Sequence, residues 1–101
     1  MNNSPALSCD TIVVISKGQL SSDLGGQQVI LNLQSGIYYG LDSVGAFIWR
    51  ALQTPCRISE IREAIVARYH VDAARAEHDL IALLSHLHES GLIEIKDEMP
   101  A

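Results

Sequence analysis

Hydrophobic and polar positions follow two different periods along this chain, and the change falls at Asp42. Upstream the apolar residues form short β-branched or alternating runs. Residues 11–15 (TIVVI) read as a strand. Gly25-Gly26 between Ser21-Ser22-Asp23-Leu24 and Gln27-Gln28-Val29-Ile30 suits a two-residue hairpin turn. Val29, Leu31 and Leu33 alternate with Ile30, Asn32 and Gln34, so one face of that strand is buried more deeply than the other. Gln34-Ser35-Gly36 is a three-residue loop with glycine where positive φ is needed, and residues 37–41 form the next strand. Together these segments predict a three-stranded antiparallel meander. Nothing in the sequence pairs with the outer side of residues 37–41, because the chain turns at once into a helix. An unpaired apolar edge is a hazard unless something adds to it.

Downstream the period becomes helical. Asp42 is an N-cap for residues 43–53, where Val44, Phe47, Ile48 and Leu52 recur with Trp49 beside them and Pro55 stops the run. Gly45 inside this helix points to the close approach of another helix or strand. Ser59 is the expected N-cap of a second helix carrying Ile58, Ile61, Ile65 and Tyr69. His70-Val71 makes a short corner, Asp72 caps a third helix over residues 73–90, and Gly91 ends it. Leu92, Ile93 and Ile95 are a short terminal extended segment. The predicted fold class is α+β, a meander followed by a three-helix winged helix-turn-helix. Residues 11–96 are the domain, with loose tails at 1–10 and 97–101. Trp49, Ile48, Leu80, Leu83 and Leu87 are expected in the core.

Composition narrows the class of function. A chain of 101 residues, 48% hydrophobic and 19% charged, suits one globular domain. No apolar run reaches the roughly 20 residues of a membrane span and no signal segment opens the chain, so the expectation is a cytoplasmic protein without a membrane partner. The net charge is −5, and Lys17, Arg50, Arg57, Arg62, Arg68, Arg75 and Lys96 are scattered. A nucleic-acid partner is therefore not expected, since a DNA reader meets phosphate with a basic face.

The candidate chemistry is sparse. Cys9 and Cys56 have neither metal-ligand nor redox-motif spacing and read as reduced structural thiols. His78 and His86 lie about 80° apart on the third helix, and His86 and His88 point to different faces, so no metal is expected. No nucleophile elbow, phosphate loop or cofactor motif occurs, and catalytic residues are expected to be none. On the third helix, Ala76, Leu80, Leu83 and Leu87 make a core stripe. Ile81 falls about 140° from Ala76, next to Ala74 and Glu77, with Leu84 at the core edge. That composition suits a groove wall.

The spaced pattern Leu31-x-Leu33-x-x-Gly36-x-Tyr38-Tyr39-Gly40-Leu41-Asp42-x-Val44-Gly45-x-x-Ile48-Trp49 resembles the signature of PqqD-like proteins. Tyr69-x-Val71-Asp72, Asp79-Leu80 and Leu87-x-x-x-Gly91-Leu92-Ile93 extend the resemblance over nearly the whole chain. It implies a non-catalytic element that binds the leader segment of a ribosomally made precursor peptide. The leader would add as a strand along Ile37, Tyr38, Tyr39, Gly40 and Leu41, against a helix wall of Ala74, Glu77, Ile81 and Leu84. The wording is most like the standalone proteins of lasso-peptide biosynthesis, with a transglutaminase-like leader peptidase and a cyclase as further partners. The alternatives are a pyrroloquinoline-quinone pathway protein beside a radical iron–sulfur enzyme, or a winged-helix DNA-binding regulator. Free edges leave both a monomer and an edge-paired dimer open.

Overall fold

A computed structural model describes residues 7–96. Its elements are β1 (Ile12–Ile15), β2 (Gln19–Leu24), β3 (Gln27–Asn32), β4 (Tyr38–Leu41), α1 (Ser43–Ala51), β5 (Cys56–Arg57), α2 (Ile58–Tyr69), α3 (Ala73–Glu89) and β6 (Ile93–Lys96). Six strands form two antiparallel sheets, ordered β5-β1-β6 and β2-β3-β4.

The expected single sheet is thus divided. The β-branched run of β1 takes its partners from segments distant in sequence, setting Ile12 opposite both Arg57 and Lys96. The second sheet is local. Gly25 and Gly26 both have positive φ, at 65° and 91°, as a two-residue turn matched to strand twist requires. The following loop is one residue longer than expected. Asn32 N donates to Ile37 O at 3.0 Å, leaving Leu33 to Gly36 between them, and Leu33 N donates instead to Gly18 O.

Trp49, Ile48, Leu80, Leu84 and Leu87 join Val13, Ile30, Leu52, Ile58, Ile61, Leu92 and Ile93 in the core. Leu83, expected there, is only half-buried against it. In β3 the deeply buried face is Gln28 and Ile30; Val29 and Leu31, of the more apolar-looking set, face the other way, and Leu33 lies beyond the strand, exposed. Ser16 and Asn32 tie the sheets to the C-terminal end of α3. Ser16 Oγ donates to Gly91 O at 2.6 Å and Asn32 Nδ2 to Ser90 O at 3.1 Å, satisfying carbonyls that a helix end leaves orphaned.

Three local expectations need correction. The second helix begins at Ile58, with Arg57 as N-cap; Arg57 N donates to Glu60 Oε1 at 2.8 Å, so Ser59 lies inside the helix. The tail expected over residues 1–10 is anchored from residue 7: Leu7 packs on the core, and Cys9 O accepts from Ser59 N at 3.0 Å. Residues 1–6 and 97–101 lie outside the described residues. Finally, α1 and α3 end at Ala51 and Glu89, slightly before the predicted ends.

Candidate functional site

Strand β4 borders a largely apolar concavity. Its register pairs Ile30 with Tyr39 and Gln28 with Leu41, continuing the hydrogen-bonded Asn32–Ile37 pair by steps of two. In an antiparallel ladder such residues turn both N–H and C=O toward their partner, and the residues between them turn both away. Tyr39 and Leu41 therefore bond to β3. Tyr38 and Gly40 offer their N–H and C=O groups to the free edge, since β4 has no second strand neighbour among the described residues.

Asp42 turns the chain from this edge into α1. Its Oδ1 accepts from Gly45 N at 2.9 Å, and its extended backbone is that of an N-cap. Gly45 is explained by the same corner: an added Cβ would stand 3.1 Å from Leu41 Cβ. The close approach predicted for α1 is thus the end of β4.

Below the corner opens a cleft of about 550 Å³. It is lined by Gly40 and Leu41 at β4, Val44 and Ile48 of α1, Ile65 and Tyr69 of α2, Val71 of the corner, and Arg75, Ala76, Asp79, Leu80 and Leu83 of α3. Its charged groups stand at the rim. Asp42 is committed to its cap, while Arg75 Nε and Asp79 Oδ2 lie 3.9 Å apart on side chains that are mostly exposed. An exposed pair at this separation contributes little to stability and leaves both groups able to meet a ligand.

The expected site residues divide between this cleft and elsewhere. Gly40 and Leu41 line it, Tyr38 and Tyr39 sit beside them in β4, and Ile37 precedes the strand, exposed. Ala74, Glu77 and Ile81 line a separate, shallower depression with His78. Leu84 is fully buried, so it is core and not a groove wall. The reason lies in helix geometry. Relative to Ala76, Arg75, Asp79 and Leu83 fall at about −100°, −60° and −20°, whereas Glu77 and Ile81 fall at about 100° and 140°. Both flanks of the apolar stripe were available in the sequence. The cleft lies along the negative one, which the packing of α2 and α1 leaves open.

The positive flank is occupied by the chain itself. Arg62 Nη1 donates to Glu77 Oε1 at 2.7 Å and to Cys9 Sγ at 3.2 Å, while the Cys9 thiol donates to the same Glu77 oxygen at 3.0 Å. The Cys9 and Arg62 hydrogen bonds hold the Glu77 carboxyl below its ordinary pKa. Its acceptance of the thiol proton, with burial, raises Cys9. Hydrogen bonds to Glu77 and Glu63 raise Arg62. No spacing rule predicts this triplet, which joins the N-terminal segment, α2 and α3. Among the described residues, no three His, Cys, Asp or Glu side chains converge as metal ligands, and no helix is long and apolar enough to cross a membrane.

Comparison with known proteins agrees with this architecture. Residues 27–93 match the family model described as Coenzyme PQQ synthesis protein D (PqqD). The solved structure of TbiB1 in complex with the TbiA(beta) leader peptide is 39% identical, covering 84% of this chain and 99% of that one at a TM-score of 0.78. A lasso peptide synthetase B1 complexed with the leader peptide is 23% identical over 81% of this chain and 96% of that one, at a TM-score of 0.73. The PqqD truncation of Methylobacterium extorquens PqqCD shares the fold at 19% identity and a TM-score of 0.74, covering 88% and 95% of the two chains. Among curated proteins no sequence matches. With a family model spanning most of the domain and a 39% identical relative matched along nearly its full length, this chain belongs to the PqqD family.

Proposed function

We propose that this protein is a non-catalytic recognition element for the leader segment of a ribosomally synthesised precursor peptide, and that it serves lasso-peptide biosynthesis. The observation that carries the reading is the free edge of β4 at the mouth of an apolar cleft, in a chain 39% identical to a protein solved with its leader peptide. An extended peptide bonds to Tyr38 and Gly40 through its backbone, which gives affinity without sequence demands. Alternate side chains enter the cleft over Leu41, Val44 and Leu83, which gives selectivity. The helix wall in this reading is Val71, Arg75, Asp79 and Leu83, in place of Ala74, Glu77, Ile81 and Leu84.

In this role α2, α3 and β6 act as a winged helix-turn-helix put to peptide use. The protein holds the leader in place while a transglutaminase-like peptidase and a cyclase act on the precursor. The wording Tyr38-Tyr39-Gly40-Leu41 favours the lasso assignment over the pyrroloquinoline-quinone one, and a lasso peptide synthetase B1 is among the proteins that share this fold. The net charge of −5 and a third helix with Arg75 as its one Lys or Arg disfavour DNA.

Calorimetry with the leader peptide encoded beside this gene is expected to give a 1:1 complex with a negative heat-capacity change. Tyr38→Pro removes an edge donor and is expected to abolish binding in a folded protein. Tyr39→Pro removes a donor to β3 and is expected to destabilise the sheet itself. Absence of binding by the unmodified protein at high micromolar leader overturns the proposal.

A further inference from the structure

Gly40 is the one glycine of the seven that the described chain does not explain. Five others have positive φ, and Gly45 is pressed against Leu41. Gly40 has neither a left-handed backbone nor, its two chain neighbours aside, any atom within 4 Å of where a Cβ would stand. Glycine inside a strand weakens it, and one common reason for its presence is the close approach of something else.

The register shows what that approach meets. Residues directly opposite one another share a face of the sheet. Leu20, Leu31 and Tyr38 form one row on the outer face, and Ser22, Val29 and Gly40 the next. Tyr38 is 68% exposed and Leu20 60%, while Val29 is half-buried. Gly40 is thus a notch at the free edge of an apolar shelf that carries no charged side chain in either row. It is also one of the two residues whose backbone groups face outward.

We infer that Gly40 determines specificity: the added strand's residue opposite Gly40 lays a large aromatic or aliphatic side chain across the glycine, against Tyr38 and Val29. This rests on strand addition at β4. The residue opposite Gly40 must send its side chain to the outer face, away from the cleft, whichever way the added strand runs. The leader is then read on both sides of the sheet, in the cleft and on the notch. Covering an edge glycine with an aromatic neighbour is an established way to stabilise a sheet edge, and it also fixes register.

The test is a paired substitution. Gly40→Val and the smaller step Gly40→Ala place side chains in open space in a strand, so the melting temperature is expected to hold or rise. Affinity for the unmodified leader falls at least tenfold for Gly40→Val and less for Gly40→Ala. In an alanine scan of the leader, one large apolar position is expected to lose at least tenfold against the unmodified protein yet restore binding to Gly40→Val. Undiminished affinity of Gly40→Val overturns the inference, as does a loss that no leader position compensates. If the unmodified protein fails to bind leader, or Tyr38→Pro leaves binding intact, strand addition itself has failed, and that outcome is distinct.

Discussion

The two flanks of α3 share one apolar stripe and have opposite fates. On one, Glu77 is held by Arg62 and Cys9, and Ile81 rests half-buried against the core. On the other, Arg75 and Asp79 make a loose pair above Leu83 and an open cleft. A polar side chain beside a helical stripe does not mark a site by its identity. What matters is whether another segment of the same chain reaches it first.

Several substitutions sharpen or break this contrast. Leu84 lies between the flanks with no exposure, and Leu84→Ala is expected to cost ~2–5 kcal/mol in chemical denaturation. A cost below about 1 kcal/mol would return Leu84 to the groove. Leu83→Asp puts a charge in the cleft wall and is expected to weaken leader affinity at least about tenfold, with Ile81→Asp leaving affinity within about twofold. The reverse order in a calorimetric titration would move the binding face to the positive flank.

Glu77 gives a pH signature. Its folded-state pKa lies below the ordinary 4.5, so its stabilising contribution is present above that value and is lost as pH falls through the folded pKa. Glu77→Gln is therefore expected to flatten the acid limb of stability, narrowing the gap between denaturation midpoints measured near about pH 6 and about pH 3. An unchanged gap would mean that the triplet does not form in solution. The smallest effect is expected at the α2–α3 corner, where His70 has φ 56°. Glycine relieves that left-handed strain, and His70→Gly should raise stability by up to about 1 kcal/mol, read from the denaturation midpoint.

The local parts of this fold were legible in sequence. Gly25-Gly26 announced its hairpin, Asp42 and Asp72 announced their caps, and Trp49 and Leu80 announced the core, because turn chemistry and periodicity act over a few residues. The β5-β1-β6 sheet was not, since nothing within residues 11–15 says that their partners are Cys56–Arg57 and Ile93–Lys96. The candidate site was half legible. The free edge follows from a strand running straight into a helix, but the open flank of α3 depends on where residues 7–10 and α2 come to rest. The outward set of Val29 and Leu31 was ambiguous for a related reason: Gln28 and Ile30 turn inward, so alternation gave a period without a direction.

The partnership of β1 with β6 bears on the order in which the molecule assembles. The β2-β3-β4 pairings close over short loops, whereas Ile12 meets Lys96 only after nearly the entire domain has been synthesised. Closing so long a loop carries an entropic cost that a hairpin avoids, and distant pairings slow folding. On a ribosome, the sheet that carries the free edge can form first. The strand that secures the opposite sheet is the last of the described elements to be made, three helices after the free edge.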